Sequence, residues 1–396
     1  MTRIRTLAFF IGILAMLVSV LGATFQTAQF FRSYLFAYVF WLGLALGGFG
    51  LTMLHQLVGG RWGFATRRFF EAGLMTLPLM AALVVPLFFG LGKIYGWANR
   101  QIVFSNEVLR HRHVYLNAPF FIIRMVIWFA IWLWLARVLL RGARAQDHTS
   151  DPEPTRRLRT FSGPGVVIYV FSASFAFIDL VLSLEPDWYS TIFLILIVIG
   201  QTLAMLSLGI ILLRIFAARA PFSEMVTPQF FHDLGNLLLA FVMLWAYMAF
   251  SQLLIIWSGN LPAEISWYLH RCYGGWKTVA LLLGLFHFAV PFALLLSRDL
   301  KRRIDLLCGI AALVFVAHIV DVYWLVMPSF LTNAAHPAVH LHWLDLTVFI
   351  GIGGFWVALF LFNLARFPLV PLNDPRLVKM PVAPRSTRSD FSATTT

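Results

Sequence analysis

SYLFAYVFWLGLALGGFGLTMLHQLV, residues 33–58, decides the fold. It contains no Asp, Glu, Lys or Arg and exceeds the ~20 apolar residues with which an α-helix crosses about 30 Å of hydrocarbon. Inside that hydrocarbon only a helix keeps every backbone amide paired within its own segment. Runs of the same kind recur on both sides. They extend roughly over Thr6–Ala23, Ser33–Val58, Arg67–Leu91, Leu116–Leu140, Gly163–Leu184, Tyr189–Phe216, Phe231–Trp257, Gly275–Leu296, Ile304–Val326 and Trp343–Ala365. A chain that is 60% hydrophobic and 12% charged is therefore expected to be an all-α integral membrane protein of about ten transmembrane helices. The first run follows Arg3 and Arg5 as a signal peptide would, yet no small-residue cleavage site follows Gly22, so it reads as a retained helix.

The net charge of +13 is spread over short loops rather than gathered on one face, which argues against nucleic acid as a partner. One side of the membrane collects Arg3, Arg5, Arg61, Arg67, Arg68, Arg141, Arg144, Arg156, Arg157, Arg159, Arg214, Arg219 and Arg298. It also takes Lys301, Arg302, Arg303 and, in the tail, Arg366, Arg376, Lys379, Arg385 and Arg388. The other side holds Arg32, Lys93, Arg100, Arg110, Arg112, Arg271 and Lys277. The positive-inside rule then puts both termini in the cytoplasm. The external loops carry Glu185, Asp187 and Glu264. They also hold His111, His113, His270, His336, His340 and His342, beside Trp97, Trp188, Trp267 and Trp343. Such a surface suits a docking partner, although interfacial Trp belts are also ordinary in membrane proteins.

Gly142–Thr160, GARAQDHTSDPEPTRRLRT, reads as an exposed connection, and the Pro-containing tail after Phe367 as a segment that lies along a complex or is disordered. The two cysteines, Cys272 and Cys308, lack metal-ligand spacing, and no C-x-x-C-H haem-attachment motif occurs. Any redox centre carried by this chain is thus non-covalent or held by another subunit.

Ionisable residues within the runs carry the functional information, since each costs about 2.5 to 3.5 kcal/mol at mid-membrane on insertion scales. Asp179, Asp321, Arg124 and Lys277 fall in the outer third of their runs, and His318 shares a helix face with Asp321 at i, i+3. Two readings stay open. The four charges form neutralising pairs, or they build a proton relay or quinone head-group site in which a carboxylate takes a quinol proton. Toward the inner end lie Glu71, His55, His232 and Asp233, where a solvated or capping role is expected. Together the two groups bracket the membrane. Ser174, Gln201, Ser207, Tyr247, Ser251 and Gln252 lie between them to carry water. His55, His287 and His318 read as lying at three different depths, which disfavours a bis-histidine haem, and His287 is expected to bond a neighbouring helix. Pro78, Pro86 and Pro291 interrupt the third and eighth runs, and the small residues of GLALGGFG, 43–50, form a packing face.

The segment Asp233–Arg271, DLGNLLLAFVMLWAYMAFSQLLIIWSGNLPAEISWYLHR, with GGWKTVALLLGLFHFAVPFALLLSRDLKR after it, closely resembles the F-type integral membrane subunit of bacterial alternative complex III. FAYVFWLGLALGGFG from Phe36, LEPDWYSTIF around Trp188 and VDVYWLVMP ending at Pro328 resemble it too. That family is a variant of the polysulphide-reductase-type, NrfD-like membrane subunits. The resemblance implies two successive four-helix bundles with one flanking helix at each end. On this chain that gives a first helix and outer loop over 1–32, bundles over 33–188 and 189–342, a last helix over 343–366 and a cytoplasmic tail over 367–396. Gly142–Thr160 then falls inside the first bundle. Asp179 and Asp321 occupy the final helix of each bundle.

The resemblance also implies a place in a complex that oxidises quinol and passes electrons to a periplasmic acceptor through iron–sulfur clusters and c-type haems on partner subunits. Those partners are an iron–sulfur subunit, c-type cytochrome subunits and a sister NrfD-like subunit, which usually holds the quinol site. A proton-path role for Asp179, Asp321 and His318 comes from it as an expectation, and no haem or cluster ligands carry over. The alternatives are a structural anchor for the redox subunits and a secondary transporter; charges that lie toward the two faces rather than at the midplane weigh against the latter.

Overall fold

The apolar runs fold as helices throughout the computed structural model, which describes residues 2–220, 222–330, 338–371 and 373–378. Among the described residues there is no strand, and ten helices are long and apolar enough to cross a membrane. They are span 1, Thr2–Phe25; span 2, Thr27–Val58; span 3, Arg61–Phe89; span 4, Ala118–Asp147; span 5, Glu153–Leu184; span 6, Thr191–Phe216; span 7, Pro228–Gly259; span 8, Gly275–Leu296; span 9, Ile304–Phe330; and span 10, Trp343–Ala365. The protein is an all-α, multi-pass membrane protein. Side chains that meet at helix ends show strict up-and-down order. Arg68 reaches Asp147, Arg214 reaches Asp305 and Lys301 reaches Asn236 at one end, here called the basic face. Ser33 reaches Asp345, and Ser190 reaches Gln252, at the opposite face.

Spans 2 and 6 sit at the centre. Span 2 packs on spans 1, 3, 5, 6, 9 and 10, and 94% of its most apolar stretch is buried, against 17% for span 1. A helix apolar all round can be surrounded by lipid or by protein, and span 2 is surrounded by protein. The glycine face makes this possible, as the sequence indicated. A Cβ on Gly47 would stand 2.2 Å from the Gln201 carbonyl oxygen of span 6, and one on Gly48 would stand 2.7 Å from that of Phe70 in span 3. Span 1 lies along span 10 and makes a similar close approach there, where a Cβ on Gly354 would lie 2.5 Å from the Gly12 Cα.

The prolines break helices as expected. Span 3 is three helical pieces, Arg61–Leu74, Leu77–Leu83 and Val85–Phe89. The Tyr38 and Tyr34 hydroxyls donate to the carbonyls of Met80 and Leu83 in the broken stretch, at 3.1 and 2.9 Å. In span 8 a wide π-helical turn, Gly284–Ala289, precedes Pro291. Proline supplies no amide to the carbonyl four residues back, which is that of His287, and the wider turn absorbs the mismatch.

Two connections differ from expectation. Gly142–Thr160 is mostly helix, because span 4 runs to Asp147 and span 5 starts at Glu153. The short link is pinned by buried Gln146. Its amide donates to the carbonyls of Thr149, Asp151 and Asn373, and its oxygen accepts from the Thr155 amide and hydroxyl. The tail does not simply trail away. Asn373 donates to the Asp147 carbonyl at 2.6 Å, and Asp374 is wholly buried against Arg67 and Arg376. Lys379, Arg385, Arg388 and loop residue His336 lie outside the described residues.

Replacing Gly354 with Val forces two backbones apart, so Gly354→Val should lower the thermal midpoint by the equivalent of about 1–3 kcal/mol. Gly309→Ala, where a Cβ meets nothing within 4 Å, should leave it unchanged in the same differential scanning measurement. Equal midpoints for both variants would refute the close-approach account.

Candidate functional site

The four membrane charges of the outer third do not converge; the fold sorts them. Arg124 of span 4 donates through Nε and Nη2 to both oxygens of Asp179 in span 5, at 2.8–3.2 Å, while Nη1 donates to the Tyr115 carbonyl at 2.7 Å. The guanidinium lies over the Tyr115 and Phe120 rings, and Asp179 is fully buried. Both groups are saturated, so for this pair the neutralising reading holds. Lys277 stands exposed on span 8 and makes no ion pair among the described residues.

A second closed cluster caps the same end. Glu185, just beyond span 5, accepts from Arg271 at 2.6 Å, from Ser329 at 2.7 Å, and lies 3.0 Å from His270. Burial by itself would raise its carboxyl. Arg271, His270 and Ser329 outweigh burial and bring it down to about 2. Arg271 is almost wholly buried and also holds the Leu325 carbonyl, so it locks the short helix Pro262–Cys272 to span 9.

At the basic face the charges close on one another as well. Glu71 accepts from Arg67 and from Arg68 at 2.6 Å each; Arg68 also pairs with Asp147, and Arg67 with Asp374. Burial opposes ionisation of Asp374, but Arg376 and Arg67 hold its carboxyl below the ordinary value. The expectation of a solvated Glu71 and His55 is therefore overturned. Both are buried, Glu71 in this ion cluster and His55 against Trp62 and Phe64 with neither ring nitrogen bonded. The reason is that span 3 begins at Arg61 and not at Arg67, so Arg67, Arg68 and Glu71 lie inside the helix instead of in its first turns. Asp233 is half-exposed near the start of span 7 and accepts from Gln229 at 3.2 Å, as a solvated group should.

Asp321 is different. It lies on span 9 at the edge of a partly open cavity of about 540 Å³ bordered by spans 6, 7, 8 and 9 and roofed by Trp267 and Tyr268 of the short helix. The walls are apolar, with Leu253, Leu283 and Phe288 among them. Tyr247 and Phe250, 64% and 63% exposed, stand at its margin on the lipid-facing side of span 7. Trp245 Nε1 donates to Asp321 Oδ2 at 3.3 Å, and no other donor reaches this carboxyl among the described residues. His318 Nδ1 lies 3.5 Å from the same oxygen without a hydrogen bond. The His287 ring packs on Trp245 at 4.2 Å and approaches His318 at 5.8 Å, with neither nitrogen bonded. His287 and His318 thus meet, correcting the three-depth reading; the π-helical turn of span 8 carries His287.

A buried carboxyl with a single neutral donor has capacity to spare for another, and leaving it unmet costs free energy. The cavity offers a lipid-soluble molecule a largely apolar chamber within the usual 300–1,000 Å³ range, with one carboxylate at its wall. Two imidazoles stand behind that acceptor. Sequence reasoning found Asp321 and His318 by their cost, but not Trp245 or Tyr268. A Trp in an apolar run gives no signal that its N–H meets a carboxylate. Comparison with family models finds no match to this chain, and a search of curated proteins finds none.

Arg124→Ala strands a buried carboxylate and should cost about 3–5 kcal/mol. In Arg124→Ala/Asp179→Ala the loss should be much smaller, and additive losses in the double-variant cycle would contradict a closed pair. The Glu185 carboxyl is depressed in the folded state, so its stabilisation is present above about 4.5 and is lost as pH falls from there toward 2. Thermal midpoints should accordingly fall across that window, and less steeply in Glu185→Gln.

Proposed function

We propose that this chain is the membrane subunit of a quinol-oxidising electron-transfer complex of the alternative complex III type, and that the cavity beside Asp321 receives the quinol ring. One observation carries the reading. Three of the segments that resemble that family supply most of the cavity wall: Asp233–Arg271 supplies Trp245, Tyr247, Phe250, Gln252, Trp267 and Tyr268; Gly274–Arg302 supplies Leu283 and Phe288; and Val320–Pro328 supplies Asp321 and Trp324. Trp188 of LEPDWYSTIF stacks on Trp267 at 4.7 Å and supports the roof.

The chemistry suits the residues. A hydroquinone gives up two protons and two electrons to become a quinone. Asp321 accepts one hydroxyl proton directly, and His318, beside it, provides a second basic nitrogen that can accept in turn. Trp245 keeps the carboxylate oriented while it waits. Iron–sulfur and haem c centres on partner subunits would take the two electrons, while this chain contributes position and proton acceptance. In this reading the chain lies in a bacterial cytoplasmic membrane with the basic face and both termini inside, so protons taken at Asp321 leave on the outer side. The closed pairs at Arg124–Asp179 and Glu185–Arg271 favour a scaffold role for the rest of that face, where the docking partners sit.

In the assembled complex, Asp321→Asn should cut quinol oxidation by roughly 100-fold or more, the range of general-base contributions. A conservative change at the closed pair, Asp179→Asn, should instead act on stability. Quinol turnover and proton yield should be followed separately. Full activity with unchanged proton yield in assembled Asp321→Asn would sink the cavity assignment and leave the anchoring role.

A further inference from the structure

A second cavity, of about 330 Å³, opens at the basic face where span 2 ends and span 5 begins. Arg156 and Arg159 of span 5, Arg376 of the tail, Thr155 and Val58 line it. Its charge is not accounted for by the neighbouring ion cluster. There the cations Arg67, Arg68 and Arg376 face the anions Glu71, Asp147 and Asp374, three against three. Arg156 and Arg159 are additional, exposed, and without a carboxylate partner among the described residues. Arg376 is fixed in place: Nε and Nη2 are bound to Asp374, and Nη2 also donates to Gln56, leaving Nη1 without a hydrogen bond among the described residues.

The remaining wall is apolar and sits at a defined depth. Val58 is the last residue of span 2 and is 70% exposed, and Leu57 and Pro375 stand beside it. A basic recess with an apolar side at the end of a membrane helix matches the boundary between hydrocarbon and headgroups. A free anion would use the arginines and leave the apolar side unused. We propose that this recess binds the phosphate group of an anionic phospholipid, held by Arg156, Arg159 and Arg376 with the acyl chains running along Val58. The lipid would clamp the tail, through Arg376 and Pro375, onto the ends of spans 2 and 5. This site is independent of the quinol cavity.

The test uses the full chain, or its complex, in nanodiscs of phosphatidylcholine with and without added phosphatidylglycerol or cardiolipin. Retained lipid is read by native mass spectrometry, and the thermal midpoint is measured alongside. Arg156→Ala/Arg159→Ala should lose retention of the anionic lipid by roughly tenfold or more. Arg302→Ala/Arg303→Ala removes the same charge from exposed positions on the same face and should retain it. Equal losses in the two variants would show a diffuse basic surface instead of a site. Unchanged retention in the first variant would overturn the proposal, as would equal protection of the wild type by inorganic phosphate alone.

Discussion

An ionised group in hydrocarbon must be neutralised where it stands, because the medium offers neither water nor counterions. Much of this structure follows from that constraint. Arg124 finds Asp179 across two spans, Glu71 is gripped by two arginines, and Arg271 reaches Glu185 from a helix that lies between spans 7 and 8. Glu71 is held within its own helix, but Arg68–Asp147, Arg67–Asp374, Arg124–Asp179 and Arg271–Glu185 tie together segments distant in sequence, so these pairs act as fasteners between helices whose apolar surfaces lipid would solvate equally well. Asp321 stands out against this pattern. Its one neutral donor leaves it open toward a cavity, at the place where two unbonded imidazoles also gather.

The packing that makes room for this is achieved by removing side chains. Gly47 and Gly48 let spans 6 and 3 close on span 2, and Gly12 with Gly354 does the same for spans 1 and 10. Backbone interruptions then place chemistry. The π-helical turn ahead of Pro291 carries His287 to the rings of Trp245 and His318. In span 3 tyrosine hydroxyls from span 2 donate to the Met80 and Leu83 carbonyls and bind the broken stretch to its neighbour, so that break is structural.

The ends of the helices were harder to foresee than their number. Polar residues from Gly142 to Asp147 look like loop, yet nothing in them breaks a helix, and Gln146 uses the helical extension to gather five hydrogen bonds. Likewise Asp374 in a proline-containing tail carries no local sign that it will be buried beneath Arg67. His55 and Glu71 looked solvated because the start of span 3 was read six residues too late, at Arg67 in place of Arg61.

By itself the sequence determined that this is a multi-pass helical membrane protein, since bilayer-length apolar runs admit no other backbone arrangement. It also marked which rare ionisable groups demand an explanation, since their cost is a property of residue and depth. Only the tertiary structure decided which of those groups are spent on each other and which is left free. Pairing depends on helix rotation and on kinks at Pro78, Pro86 and Pro291, and a side chain several spans away in sequence is what saturates Asp179 or leaves Asp321 unmet.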